Sequence, residues 1–303
     1  RFTHKGKSRE ARCLGEVLLA AGAINSPKIL ELSGIGQPDQ ISSLGVTPLH
    51  ESPGVGENLQ DHLQVRSVYK VTNTVTLNQR ANSLIGKMLM GMEYFTRKTG
   101  PLTMPPSQLG AFAMSDEHQT TANIEWHVQP LSLDKFGDPL HDFPAITASV
   151  CNLRPESRGH IHITSPNRED QPEILANYLS AEADRKVAAD SIRLTRRIMA
   201  APSMAKHAPE EYLPGSQLES DEDLAKAAGA IGTTIFHPVG TCRMGEDERS
   251  VVDERLRLRG LKGIRVVDAS VMPTITSGNT NAPTMMIAEK GAEMIREDRR
   301  SGI

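Results

Sequence analysis

Apolar and polar residues alternate through the middle of the chain. Ile124, Trp126 and Val128 interleave with Asn123, Glu125 and His127; Ile146, Ala148 and Val150 with Thr147 and Ser149; Ile161 and Ile163 with His160 and His162. A period of two sends successive side chains to opposite faces of a pleated strand, so these runs predict half-buried antiparallel strands. A further β-prone run holds Val68 and Val71. Helical spacing appears at Val187, Ser191, Leu194 and Ile198, entered through Ser180 with acidic Glu182 in the first turn. Residues 63–229 are therefore expected to form an α+β domain.

The flanks are patterned differently. Glu16 to Ala21 is a short apolar run broken at Gly22, followed by Ile29, Leu30 and Leu32 before Gly34. Ser26 stands where an N-cap would, with Pro27 as the first helical residue. Strand, tight turn and helix in that order are how a doubly wound nucleotide-binding sheet is written. Residues 36–62, rich in Gly, Pro and Ser, read as a connector. From Ile231 the first pattern returns: Ile264 to Asp268 is a strand ending in an acidic residue, and Pro283 opens a helix with Met285, Ala288, Ala292 and Ile295 on one face. The two strands are expected to lie in one sheet. The fold class is thus α/β plus α+β: a discontinuous domain of residues 1–62 and 230–303 interrupted by residues 63–229. No internal repeat or low-complexity tract interrupts this plan.

Composition narrows the function classes. With 303 residues and 38% hydrophobic, the chain can bury a sizeable core. A formal charge of -3 leaves no electrostatic footprint for nucleic acid or an anionic membrane. No apolar run approaches the ~18 residues of a membrane span, and no signal segment is legible. Cys13, Cys151 and Cys242 are too scattered for a disulfide framework, which makes a reducing, cytoplasmic setting the expectation.

Two segments carry candidate chemistry. Phe236, His237, Pro238, Val239, Gly240, Thr241 and Cys242 place a histidine beside a proline in a glycine-flanked turn; Ser277, Gly278, Asn279, Thr280 and Asn281 form an asparagine-rich turn opening a helix. Oxidising an alcohol requires a base for the hydroxyl proton and an acceptor for the hydride leaving the same carbon. An unperturbed imidazole titrates near about 6.5, which suits the base role. An amide can hold the developing alkoxide without changing its own charge. His237 is the candidate base and Asn279 the candidate oxygen-orienting residue, with Asn281 as its rival.

These segments, together with Glu16 to Pro27, Leu32 to Gly36, Gly54 to His62, Arg154 to His160 and Val266 to Ser270, resemble the glucose-methanol-choline (GMC) family of flavin oxidoreductases. The likeness is nearest to its choline-dehydrogenase-like and primary-alcohol-oxidising members and covers essentially the whole chain. It implies a partial FAD-binding doubly wound domain with an inserted substrate domain built on an antiparallel sheet. It also implies catalytic roles for His237 and Asn279, and FAD contacts at Asp268, Ala269, Thr280 and Asn281. Ala21 and Gly22 are expected to permit close backbone approach to the cofactor, and Asp268 has a competing role as a turn cap. The substrate implied is a small alcohol, with oxygen or a quinone-like acceptor receiving the electrons. Few aromatic residues, 4% with one tryptophan, make a primary aliphatic, polyether or aryl alcohol at least as fitting as choline.

One departure from the family is large. No G-x-G-x-x-G turn follows a strand: Gly34 and Gly36 close a helix, and Gly54 and Gly56 lack a third glycine in register. The chain is expected to be the C-terminal part of a longer family member, and a silent fragment that holds no FAD unless completed upstream is an alternative. Hydroxynitrile cleavage with the same base is a lesser one.

Other features are expected to be structural. His160 and His162 read as exposed strand residues rather than metal ligands, Met88, Met90, Met92 and Met104 as packing, and Arg193, Arg196 and Arg197 as a solvated helix face. Glu125 and His127, sharing a strand face beside Trp126, are a minor candidate for substrate contact.

Overall fold

A computed structural model describes residues 2–105 and 107–302, which divide into two compact units. One comprises Arg1–Asp61, Arg158–Ala176 and His237–Ile303; the other comprises His62–Ser157 and Asn177–Phe236.

In the first unit the apolar runs at Val17–Leu19 and Ile264–Val266 pair in parallel, Val17 opposite Ile264. Each strand leads into a turn, and the first continues as the helix Gly22–Leu32. That helix begins four residues before the expected N-cap, leaving Pro27 inside its first turns. Its missing N–H would have met Ala23 O, which accepts from Thr241 Oγ1 at 2.6 Å instead, and the Ser26 hydroxyl accepts from Ala21 N at 3.1 Å. The core gathers Leu30, Val55, Val239, Val252, Val266 and Ile287.

The C-terminal helix Asn281–Ser301 buries Ile287, Gly291 and Asp298, a stripe beside the Met285, Ala288, Ala292, Ile295 face expected from apolar spacing. A glycine carries no hydrophobic signal, yet it decides the face. A Cβ on Gly291 would lie 2.9 Å from Val267 Cγ1, so its absence lets the helix sit against the strand end. Asp298 closes the same seam by an ion pair to buried Arg265 at 2.5 Å.

The second unit is an antiparallel sheet in the order Glu210–Leu213, Leu63–Lys70, Ala145–Asn152, Ile124–Gln129, Leu109–Ala113, with Gly232–Thr234 also on Leu63–Lys70. The alternating runs supply its central strands. Val65, Val150 and Trp126 form one rung and face the helices Glu182–Met199 and Asp221–Ile231. The first of these helices buries Ala188, Ser191, Ile192, Thr195 and Met199, one position round from the expected stripe, and leaves Ile198 42% exposed. Small residues allow close approach, and Trp126 Nε1 donates to Thr195 Oγ1 at 2.9 Å, drawing that face inward.

Residues 158–176 were expected in the middle domain but group with the first unit. The hairpin of His160–His162 and Glu173–Leu175 is tied there by paired backbone bonds between Leu59 and Gly159 and by Ile163 N donating to Glu31 Oε2 at 2.8 Å. Alternation marks a strand but not its sheet.

Candidate active site

The polar segment Asn58 to Asp61, read from sequence as part of a connector, grips two loops of the first unit. Gln60 and Val239 exchange backbone hydrogen bonds of 3.1 and 2.9 Å. Asn58 Nδ2 donates to the carbonyls of Gly240 and Pro273. Gln60 Nε2 donates to Pro273 O at 3.0 Å, while its Oε1 accepts from Ile275 N at 3.1 Å. Asp61 Oδ1 accepts from His237 N at 2.9 Å. One stretch of chain therefore fixes both the loop carrying His237 and the turn leading to Asn279. The sequence signal was present as three hydrogen-bonding side chains in four residues, but their partners are distant in the chain.

Held this way, Asn279 Nδ2 lies 3.4 Å from His237 Nε2. An amide N–H only donates, so this contact requires the lone pair on Nε2 and the ring proton on Nδ1, leaving Nε2 as the basic nitrogen. The loop geometry is demanding. Phe236 sits at φ 65, a left-handed conformation rare for a bulky residue, and Gly240 at φ 93 could not carry a Cβ, which would meet Asn58 O at 2.5 Å. Thr241 Oγ1 donates to Ala23 O at 2.6 Å, tying the loop to the start of the first helix. Cys242 is fully buried, and desolvation pushes its thiol well above the usual range, so this cysteine packs rather than reacts.

The expected cofactor residues form two groups. Ala21, Gly22, Asp268 and Ala269 meet where the parallel strands end. The buried Asp268 carboxylate accepts four hydrogen bonds: from Gly22 N at 3.0 Å, Ser26 Oγ at 2.6 Å, Ser270 N at 2.8 Å and Ser270 Oγ at 2.5 Å. That fills a carboxylate's acceptor capacity. The carboxylate thus acts as the cap, and a ligand contact from this residue would fall to its backbone. Thr280 and Asn281 begin the C-terminal helix, whose first turn has no side-chain cap and so presents free backbone N–H groups.

His162 departs most from expectation. It is buried, not exposed, between two carboxylates, with Nδ1 2.7 Å from Glu31 Oε1 and Nε2 3.2 Å from Glu57 Oε1. Burial pulls its imidazole down, but the hydrogen bond and charge of Glu31, followed by those of Glu57, outweigh this and hold it above the ordinary value. Arg196 also differs: it is clamped by Glu211 rather than solvated. In the second unit Glu125 and His127 share a face as expected, 3.4 Å apart, and Cys151 joins them from the neighbouring strand. The methionines at 88 and 92 are more than half exposed on the helix Leu84–Arg97, not packed.

Two family models, both described as GMC oxidoreductase, match residues 2–64 and 155–288, together well over half the chain. The chain belongs to the GMC oxidoreductase family. It is 43% identical over 282 residues to an alcohol dehydrogenase [acceptor] of Pseudomonas putida, covering 93% of this chain and 51% of that protein. It is 40% identical over 296 residues to an oxygen-dependent choline dehydrogenase of Chromohalobacter salexigens, covering 98% and 53%. Among solved structures, pyridoxine 4-oxidase from Mesorbium loti aligns with TM-score 0.80 at 29% identity over 93% of this chain and 51% of the other. A point variant of formate oxidase from Aspergillus oryzae, made to study FAD modification, aligns with TM-score 0.86 at 25% identity, over 95% and 55%. This GMC chain spans about half the length of the relatives it matches.

Proposed function

We propose that this chain carries the proton-abstracting part of an FAD-dependent oxidation of a primary alcohol to an aldehyde. The observation that carries the reading is the contact between Asn279 Nδ2 and His237 Nε2, two residues brought together only by the fold. An alcohol oxygen set against both atoms, displacing the amide from the Nε2 lone pair, would give its proton to Nε2 and accept a hydrogen bond from the amide as it becomes an alkoxide. When bound, FAD supplies the hydride acceptor. The Ala21–Gly22 turn, the backbone at Ala269 and the uncapped start of the helix at Thr280 and Asn281 are the groups suited to hold it. The free N–H groups and dipole of that helix end favour negative charge nearby. Family relatives named for alcohol and choline oxidation support the reaction class. Oxygen or a quinone-like compound would take the electrons onward.

The test is His237→Gln in the flavin-loaded protein, with alcohol turnover and flavin content both measured. Turnover should fall about 10²- to 10⁴-fold with flavin content unchanged. A loss under tenfold would remove His237 from the base role.

A second reading is favoured by one observation: no G-x-G-x-x-G turn follows a strand in this sequence, and the Gly22 N–H at the start of the helix Gly22–Leu32 donates to Asp268 Oδ2 at 3.0 Å. The 303-residue chain alone should therefore hold FAD weakly, whereas joined to a segment bearing G-x-G-x-x-G it should hold it tightly. Flavin absorbance after desalting decides this, and stoichiometric flavin on the chain alone would overturn it.

A further inference from the structure

The face of the second unit's sheet turned away from its helices is built from polar residues that the proposed reaction does not use. Residues directly opposed across antiparallel strands share a face. Arg66, Ser149 and His127 form one rung, and Gln64, Cys151 and Glu125 the next. The intervening rung, Val65, Val150 and Trp126, points to the helices.

Arg66 is 4% exposed, and its Nε and Nη2 atoms have no hydrogen-bond partner among the described residues. Ser149, directly opposite and fully buried, has an Oγ in the same condition. Two contacts place the guanidinium. Its face lies 4.6 Å from the Phe136 ring centroid, and Nη1 donates to Gln64 Oε1 at 3.5 Å. Stacking and one anchored nitrogen leave the opposite edge, the Nε and Nη2 pair, pointing away from both.

That edge is the side-on fork with which arginine takes a carboxylate through two parallel N–H···O bonds. The same unit shows it in use: Arg196 Nε and Nη2 each donate to Glu211 at 2.8 Å, one to each carboxylate oxygen. Burying a guanidinium with its fork unmatched is costly, and folds keep such groups where they bind something. We propose that Arg66, with Ser149 as a further donor, binds the carboxylate of a small organic acid on this sheet face. The inference stands on the second unit alone and does not depend on the flavin reading.

The full chain is tested with acetate, glycolate and glutarate as probes, with glycolamide and inorganic phosphate as comparisons. The only tryptophan, Trp126, lies in the same sheet, so its emission follows the unfolding of this unit. The carboxylates should raise the melting temperature read by that emission, and glycolamide should not. Arg66→Met keeps the length of the side chain without the buried charge. It should melt at or above the wild-type temperature without ligand and lose the carboxylate-dependent rise. Arg66→Lys keeps the charge without the fork and should bind at least about tenfold more weakly by calorimetry. The proposal falls if the carboxylates leave the wild type unmoved, if they stabilise Arg66→Met equally, or if phosphate alone has an effect. It also falls if Arg66→Met melts below the wild type, since the guanidinium would then be a structural group.

Discussion

His237 is held through its backbone, and the residues that hold it are as exposed to test as the imidazole itself. Gln60 is 2% exposed and joins the Pro273 carbonyl to the Ile275 amide. Gln60→Ala would leave the Ile275 amide without its acceptor and the Pro273 carbonyl with Asn58 alone, with an expected loss of about 1–3 kcal/mol in chemical unfolding. The Asn279 turn would also drift from His237, so kcat should fall more than KM changes in the loaded enzyme. Gly240→Ala places a methyl against Asn58 O at a φ that disfavours side chains. It should lower the melting temperature and weaken turnover together. Of these residues, His237 and Asn279 were singled out from the sequence through the family resemblance, since an amide before a helix is by itself most often a cap. Asn58, Gln60 and Asp61 were passed over as connector because polar residues near glycine and proline read as solvated turn, and only their distant partners show otherwise.

At the scale of elements, the seam between the C-terminal helix and the Ile264–Val266 strand combines packing with charge. Arg265, 2% exposed, bonds both Glu16 and Asp298 at 2.5 Å. The hydrogen bond from Arg265, followed by that from Arg255 and against the opposing cost of burial, holds the Asp298 carboxyl below its usual range. A lowered folded-state pKa adds stability at pH values above the unfolded carboxylate's ~3.9, and that stability is lost as pH falls through the folded value. Asp298→Ala should cost about 1–3 kcal/mol at neutral pH, since Arg265 keeps Glu16, and remove part of the acid sensitivity, as urea titrations across the acid range would reveal. The faces of both long helices were mispredicted by one position for a related reason. Apolar spacing favours Met285 and Ile198, whereas Gly291 and Thr195 set the contacts by close approach and a hydrogen bond.

At the scale of the whole molecule, Trp126 emission reports the second unit, whereas far-ultraviolet circular dichroism sums over both. His162, raised by Glu31 and Glu57 against burial, belongs to the first unit. A raised folded-state pKa stabilises fully below the unfolded value of ~6.5 and is lost as pH climbs through the folded one. Far-ultraviolet circular dichroism should therefore show a transition that weakens on the alkaline side, while the Trp126 emission transition stays put. His162→Gln should abolish that difference; a tryptophan transition that shifts equally with pH would contradict it.

Local sequence determined what local physics can decide: strands where apolar residues alternate or run together, helices at a period near four, a glycine-constrained histidine turn and an amide-rich helix start. Family likeness joined those pieces into an expected GMC site. Only the tertiary structure decided which sheet the His160–His162 strand entered, which helical stripe was buried and that Glu31 and Glu57 enclose His162. It likewise set Arg66's fork in a buried place without a partner. Those outcomes depend on close approach and hydrogen bonding between residues far apart in the chain, which no periodicity encodes.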